Sequence, residues 1–269
     1  MMGICCAVLV GSQPVSRAAD QTEELTLNGA ALFLRIPERP APGKPWLWVA
    51  EFFGVDKNLE DALLAEGWHV AYVRAADQFG SAWAMDRWEQ AYEELHIKRG
   101  LAAKPAILAL SRGGLYALAW LRRHPDRASV LVLDNAVADV RSWPAGLPLQ
   151  TQGTGDSFEW ERYMQRWKFA DQAQALAESP RPTDNLRAAV ENGVLLVAGY
   201  GTADTLVPYV DNGGVLEAFW RRHGGRAEVF PREGAEHHPH GFADIDSLVA
   251  LLRREVEGKK EGDPRGSPP

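Results

Sequence analysis

The segment best suited to chemistry is AILALSRGG, residues 106–114, in which an apolar run leads directly into Ser111. A helix is expected to begin immediately after the serine. On so sharp a strand-to-helix turn, a serine presents its hydroxyl at the C-terminal edge of a sheet. The turn tolerates only small residues two positions before and after the serine, where the chain has Ala109 and Gly113. The alternative is a serine that only caps the following helix.

A serine hydroxyl is a weak nucleophile until a base takes its proton, so Ser111 needs partners. Asp204 follows the apolar run 194–198, and His237 follows the run 227–230. In an open α/β sheet, such strand ends converge on one crevice. We therefore expect Ser111 to be the nucleophile, His237 the general base and Asp204 the acid that orients the histidine, an arrangement suited to acyl transfer.

Two of these roles have rival residues. Asp134 directly follows the apolar run 129–133 and is the alternative acid, whereas His238 and His240 are the alternatives to His237. Three histidines within four residues also suggest a metal site. The chain has no H-E-x-x-H motif and no set of cysteine ligands beside these histidines, so we predict no metal and no cofactor.

These motifs resemble those of the α/β-hydrolase superfamily, and the resemblance covers the chain from about Leu25 to Val256. More narrowly, the S-R-G-G and H-H-P-H segments are similar to those of secreted bacterial serine esterases and prolyl-oligopeptidase-like hydrolases. The resemblance implies the chain order serine, aspartate, histidine. It assigns Asp204 from the G-x-x-D-x-x-V-P pattern and His237 from the G-x-x-H pattern. The departures are Ala109 in place of the first elbow glycine and the lack of a His-Gly pair after the first core strand.

The same resemblance implies an oxyanion hole made of two backbone N–H groups. One belongs to Arg112, the residue after the nucleophile, and the other comes from Phe52 or Phe53, between which the sequence does not choose. The side chain of Arg112 has two interpretations. It binds an anionic group of a substrate, or it forms a structural ion pair with Asp134 or Glu51; we favour the ion pair.

Strands alternate with helices along the chain, which predicts an α/β-hydrolase fold with a mostly parallel central sheet and helices on both faces. One domain is expected over residues 20–257, with an irregular, cap-like insertion at about 138–190. Trp143 and Trp160 lie in this insertion and are candidate substrate-binding residues, although core packing is the favoured role for the tryptophans. The predicted elements are strands at 30–36, 46–51, 69–73, 106–110, 129–133, 194–198 and 227–230, and helices at 58–66, 83–97, 113–123, 158–176, 212–222 and 245–256.

The two ends of the chain differ from this pattern. Residues 1–19 contain a short apolar run followed by small residues, which is typical of a signal peptide, although no Lys or Arg precedes the run. We therefore expect export to the periplasm or the extracellular space, or a cytoplasmic protein if the segment is not a leader. Cys5 and Cys6 both lie there. Residues 258–269 are polar and rich in Pro and Gly, and are predicted to be a disordered tail.

Composition narrows the class of protein further. The 269 residues are 46% hydrophobic and 24% charged, as in ordinary globular proteins. A net charge of −7 argues against nucleic-acid binding, and no apolar run approaches the roughly 20 residues of a membrane span. The expected function is hydrolysis of a carboxylic ester, small or linked to a glycan, through an acyl-enzyme. The alternatives are a peptidase-like amide hydrolase and an inactive binding protein of the same fold.

Overall fold

The computed structural model describes residues 21–257, so the predicted leader and the predicted tail lie outside the described residues. Eight strands form one sheet in the spatial order β1-β2-β4-β3-β5-β6-β7-β8. The strands are β1 (Gln21–Leu27), β2 (Ala30–Ile36), β3 (Trp46–Val49), β4 (His69–Val73), β5 (Ala106–Leu110), β6 (Val130–Asp134), β7 (Leu195–Gly201) and β8 (Ala227–Arg232).

The sheet is antiparallel at one edge and parallel over the rest. Strand β2 pairs antiparallel with both β1 and β4, whereas every neighbouring pair from β4 to β8 is parallel. Strands β3 to β6 are buried on both faces, which explains their near-continuous apolar sequences. The predicted α/β-hydrolase fold with a mostly parallel sheet is confirmed.

Helices cover both faces of this sheet. Helices α1 and α8 pack on one face, and α2, α3 and α7 pack on the other. The helices are α1 (Lys57–Ala65), α2 (Ala82–Tyr92), α3 (Gly113–Arg123), α4 (Ser157–Trp167), α5 (Gln172–Glu178), α6 (Arg187–Glu191), α7 (Gly213–Arg222) and α8 (Ile245–Glu257). Among the described residues, none of these helices combines the length and apolar character that a membrane span requires.

Tryptophans form the centre of the core between the sheet, α2 and α3. The ring of Trp48 on β3 stacks on Trp88 of α2 with centroids 4.2 Å apart and meets the edge of Trp120 of α3 at 5.0 Å. All three side chains are fully buried. Aromatic pairs of this kind add about 0.5–1.5 kcal/mol each beyond the area they bury, so this cluster fixes α3, and with it the turn that precedes it, against the sheet.

Three local features differ from the sequence predictions. Strand β1 was not predicted; its side chains are largely exposed and lack the apolar run that marked the other strands. The predicted helix 158–176 is two helices, because Lys168 adopts a left-handed conformation that ends α4 and Asp171 then caps α5. The predicted helix 83–97 begins as α2 but continues as a π-helical segment, Glu93–Lys98.

The insertion between β6 and β7 forms a small cap at the C-terminal end of the sheet. Helices α4, α5 and α6 belong to it. Its apolar side chains form a cluster of their own, which includes Trp143, Trp160 and Tyr163 and also takes in Leu115 of α3 and Val207. The cap therefore packs on helix α3 and on the loop that follows β7.

Candidate active site

Ser111 occupies a strained turn between β5 and α3. Its φ angle is 45°, in the left-handed region that residues other than glycine rarely adopt. The turn is held from both sides, because the Ser111 N–H donates to Asp134 O at 3.0 Å and Val137 N–H donates to Ser111 O at 2.8 Å. Gly114 is required for this contact, since a Cβ there would lie 2.2 Å from the Val137 carbonyl oxygen. The turn that the A-x-S-x-G pattern predicted is therefore fixed by the backbone after β6.

The three predicted catalytic side chains lie in one chain of hydrogen bonds. Ser111 Oγ is 3.0 Å from Nε2 of His237, and Nδ1 of the same imidazole is 2.8 Å from Oδ2 of Asp204. The carboxylate can only accept, so Nδ1 carries the proton and Nε2 is free to accept one from the serine. His237 and Asp204 are 5% and 7% exposed, which keeps water from competing for these contacts. Ser111 is therefore paired with a base rather than serving as a helix cap.

Asp204 is held in place by the backbone after β7. Its Oδ1 accepts hydrogen bonds from the N–H groups of Leu206 at 2.9 Å and Val207 at 2.8 Å, which leaves Oδ2 for His237. The loop that carries His237 passes very close to Gly201, where a Cβ would lie 2.3 Å from the Ala235 carbonyl oxygen. Glycine at the end of β7 thus allows the acid loop and the histidine loop to touch.

Asn135 positions the histidine, and the sequence reasoning missed it. Its Nδ2 donates to the His237 carbonyl oxygen at 2.8 Å, and its Oδ1 accepts from Gly201 N–H at 2.8 Å. Asn135 is 3% exposed and has a φ angle of 45°. A polar residue directly after an apolar strand can indicate a functional position, and Asn135 fits this pattern. In the sequence alone, the pattern points only to Asp134, one residue earlier.

Asp134, the rival acid, does not contact His237. Its Oδ2 accepts from Gly241 N–H at 2.6 Å, and its Oδ1 lies 3.4 Å from Nη2 of Arg232. It therefore anchors the segment that follows His237. The rival histidines lie beside His237 but have other surroundings: Nδ1 of His240 is 3.3 Å from Asp134 Oδ2, and His238 is exposed. Partial burial and the neighbouring His237 and His240 lower the pKa of His238.

Arg112 directly follows Ser111, and its guanidinium lies 5.1 Å from the centre of the Phe52 ring, so two of the oxyanion-hole candidates are neighbours in space. Phe52 has a φ angle of 59° in the turn after β3. Among residues 21–257, the N–H groups of Phe52, Phe53 and Arg112 donate to no other protein group, so each is available to a substrate oxygen. The choice between Phe52 and Phe53 stays open.

Arg112 is the centre of an ion-pair network, as the favoured interpretation predicted. Its Nε lies 2.9 Å from Glu51 Oε1, its Nη1 lies 3.2 Å from Glu159 Oε2 on α4, and its Nη2 contacts Asp77. The predicted partner Glu51 is confirmed, whereas the other candidate, Asp134, is paired with Arg232 instead. Glu51 is 2% exposed, and this burial raises its pKa despite the contact with Arg112.

Glu51 also joins the two halves of the proposed oxyanion hole. Its Oε1 accepts from Asp77 N–H at 3.1 Å as well as from Arg112. Because Glu51 precedes Phe52 and Arg112 follows Ser111, this one carboxylate ties the turn after β3 to the serine turn.

A cavity of about 360 Å³ opens beside Phe52 and Arg112. Its aromatic wall is continuous, because the ring of Phe53 stacks on Tyr72 at 5.3 Å and on Phe33 at 6.0 Å. The tentative substrate residues Trp143 and Trp160 do not line this cavity. Both are 8% exposed and pack inside the cap cluster, so the structure supports the packing role for them.

The histidine loop brings three imidazoles together. Each of His237, His238 and His240 offers a nitrogen atom, and these atoms all lie within 4.8 Å of one another. The sequence reasoning predicted no metal here because the motifs of known metal sites are missing; the geometry of the three rings nevertheless suits a cation.

Comparison with known proteins supports the fold. No protein family model and no curated protein sequence matches the chain. Among solved structures, a puromycin-hydrolyzing peptidase of Mycobacterium tuberculosis aligns with 15% identity and a TM-score of 0.60, over 88% of this chain and 38% of its own length. An acylaminoacyl peptidase of Pyrococcus horikoshii aligns with 12% identity and a TM-score of 0.62, over 92% of this chain and 43% of its own.

A third similar structure is nearer in length. The 2,6-dihydroxy-pseudo-oxynicotine hydrolase aligns with 18% identity and a TM-score of 0.62, over 90% of this chain and 70% of its own length. The two peptidases are more than twice as long as the part that the chain matches. At these identities the likeness establishes a shared α/β-hydrolase fold.

The Arg112 network yields a stability prediction. Arg112→Met should destabilise the fold by about 3–5 kcal/mol, because it leaves Glu51 buried without its partner. Arg162→Met is the matched control: Arg162 pairs with the same Asp77 and Glu159 but is 24% exposed, so its loss should cost about 1 kcal/mol or less. Urea unfolding of both variants measures the difference, and equal losses would contradict the prediction.

The same variant should show a distinct pH dependence. Burial already raises the pKa of Glu51, and removal of Arg112 raises it further. As the pH falls, folded Arg112→Met then takes up a proton on Glu51 that the unfolded chain does not bind. The difference in the free energy of unfolding between wild type and variant, measured by urea unfolding, should therefore become smaller between pH 7 and pH 5.

Proposed function

We propose that this protein is a serine hydrolase that cleaves a carboxylic ester through an acyl-enzyme. The observation that carries the proposal is the unbroken contact from Ser111 Oγ through His237 to Asp204. A buried hydroxyl–imidazole–carboxylate chain of this order activates the serine for attack on a carbonyl carbon. Export to the periplasm or the extracellular space remains part of the proposal and rests on the apolar segment at residues 1–10.

The reaction proceeds in two steps. His237 Nε2 takes the proton of Ser111 while Oγ attacks the ester carbonyl, and the N–H groups of Arg112 and of Phe52 or Phe53 stabilise the oxyanion of the tetrahedral intermediate. His237 then gives the proton to the leaving alcohol. In the second step His237 takes a proton from water, the water oxygen attacks the acyl-enzyme carbonyl, and the proton passes to Ser111 Oγ as the acid is released. Asp204 stays ionised throughout, holds the imidazole in the reactive tautomer and stabilises the imidazolium.

The cavity beside Phe52 is the proposed site for the apolar part of the substrate. Its aromatic wall, formed by Phe33, Phe53 and Tyr72, suits an aryl or alkyl group. Burial raises the pKa of Tyr72 to about 12, so the phenol remains a neutral hydrogen-bond donor there. Arg74 lies at the rim with its guanidinium 4.7 Å from the centre of the Phe33 ring. A small ester and a glycan-linked aromatic ester both fit this description.

Amide hydrolysis is the second candidate. It is favoured by the two similar structures whose names are those of peptidases. The same triad serves both reactions, because each passes through an acyl-enzyme, so the leaving group decides between them. Ester and anilide substrates that share one acyl group separate the two candidates directly. A binding protein that has lost activity is the third possibility, and a fluorophosphonate probe that fails to label the wild type would favour it.

Ser111→Ala should lower the kcat for short p-nitrophenyl esters by about 10⁴-fold or more, because the triad acts as a unit. The matched control is Ser142→Ala, since Ser142 is also buried but belongs to the cap. Labelling by a fluorophosphonate should be lost only in the Ser111 variant. Turnover that survives in Ser111→Ala would exclude this serine as the nucleophile.

Asp204→Asn should lower kcat/KM by about 10⁴-fold, because the amide favours the wrong tautomer of His237. Asp134→Asn is its control: this carboxylate is equally buried but binds Gly241 and Arg232. It should reduce stability with a much smaller loss of kcat/KM for the folded enzyme. The opposite order of losses would assign the acid to Asp134.

Phe53→Ala should raise KM for aryl-acyl esters by about 2- to 12-fold relative to acetyl esters, because it removes a stacking surface worth about 0.5–1.5 kcal/mol. The control is Phe158→Ala, which removes a phenylalanine that is 64% exposed on the cap. This variant should leave KM unchanged for both the aryl-acyl and the acetyl esters. Equal KM changes for both acyl groups would place the acyl site outside this cavity.

A further inference from the structure

The imidazoles of His237, His238 and His240 form a nearly equilateral triangle. Their ring centres are 4.8 Å apart for His237 and His238, and 4.9 Å apart for the other two pairs. Neighbouring planes meet at 79–88°. With Zn–N bonds of about 2.0 Å, three imidazoles in a tetrahedral arrangement place their ring centres about 5 Å apart. The ring centres therefore already have this spacing, whereas the ring nitrogens do not yet converge on one point.

Two of the three imidazoles are also backed by carboxylates. Nδ1 of His237 is hydrogen-bonded to Asp204 at 2.8 Å, whereas Nδ1 of His240 lies 3.3 Å from Asp134 Oδ2 in an ion-pair contact without a hydrogen bond. Histidine ligands of metal ions typically place the second ring nitrogen against a carboxylate, which orients the ring and makes the ligating nitrogen more basic. Among residues 21–257, Asp134, Asp204 and Asp56 lie near this cluster together with the cation Arg232, so the local charge favours a bound cation.

Metal binding requires one of the three rings to move, and the exposed ring of His238 can do so. The ligand nitrogens span up to 4.8 Å, whereas ligands of a tetrahedral zinc ion lie about 3.3 Å apart, given the Zn–N distance. His238 is exposed, so its ring can turn towards the other two without disturbing buried contacts. His237 and His240 keep their carboxylate partners during this movement.

We propose that His237, His238 and His240 together bind one Zn²⁺ ion, or another divalent ion that prefers imidazole, and that this ion inhibits the enzyme reversibly. In His237, Nδ1 is committed to Asp204, so the ion takes Nε2, the atom that otherwise contacts Ser111. A metal-bound Nε2 cannot accept the serine proton. Binding at the three histidines is independent of the proposed function; only the inhibition rests on it.

The experiment measures binding and serine reactivity separately. Full-length protein carrying Cys5→Ser and Cys6→Ser, so that thiolates do not contribute, is titrated with Zn²⁺ by calorimetry and with Co²⁺ by visible absorption. The rate of fluorophosphonate labelling is then measured with and without Zn²⁺, followed by excess chelator. The variant is His238→Gln, which leaves the Ser111–His237–Asp204 contacts intact. The control is His223→Gln, at the C-terminal end of α7 and outside the cluster.

One Zn²⁺ should bind per chain, suppress labelling, and be removed by the chelator with full recovery. His238→Gln should keep the metal-free labelling rate and lose at least about 100-fold in Zn²⁺ affinity, more than the 10–100-fold lost with a second-shell partner. His223→Gln should behave as the parent. Equal Zn²⁺ affinities in the parent and His238→Gln would overturn the proposal, as would labelling that saturating Zn²⁺ leaves unchanged. If the metal-free parent protein is not labelled by the fluorophosphonate at all, the proposed hydrolase function is overturned. The Zn²⁺ titration then still shows whether the three histidines bind a metal ion.

Discussion

The position of the His237 imidazole depends on two buried side chains at the end of β6. Asp134 binds the backbone of Gly241, and Asn135 binds the backbone of His237 itself and of Gly201. Hydrogen bonds in a water-excluded interior are strong, and leaving one of these groups unpaired is costly. These bonds hold the histidine loop by its main chain. The His237 imidazole is therefore already in position to contact the Ser111 hydroxyl. The rest of the site is arranged around this fixed point.

Much of this site could be inferred from local sequence. Ser111, Asp204 and His237 each follow an apolar strand, and parallel strands end at one edge, so topology alone brings them together. The orientation of each side chain could not be inferred. Asp134 and Asp204 both follow strands, and only the course of the loops decides which carboxylate meets Nδ1. The sequence likewise marks Asn135 as polar without showing that its amide spans two loops.

The less predictable elements are those whose local signals are weak or whose partners are distant. The two leucines of strand β1 are only partly buried, and the strand pairs with β2 along its whole length. The break at Lys168 depends on a left-handed residue that the apolar spacing does not reveal. Arg112 contacts Asp77 and Glu159, which lie 35 and 47 positions away in the chain. Asp77 belongs to the loop after β4 and Glu159 to the cap, so both contacts depend on how distant elements pack. Such contacts follow from tertiary packing, which overrides local pattern.

The arginine that follows the serine connects the cap to the core. Its guanidinium is shared between Glu51 in the core and Glu159 on α4, so any displacement of α4 from the core would break an ion pair one residue away from Ser111. Glu159 is 15% exposed and Glu51 is 2% exposed, so added salt should weaken the contact with the cap more than the contact with the core. One guanidinium thus joins the core, the serine turn and helix α4 of the cap.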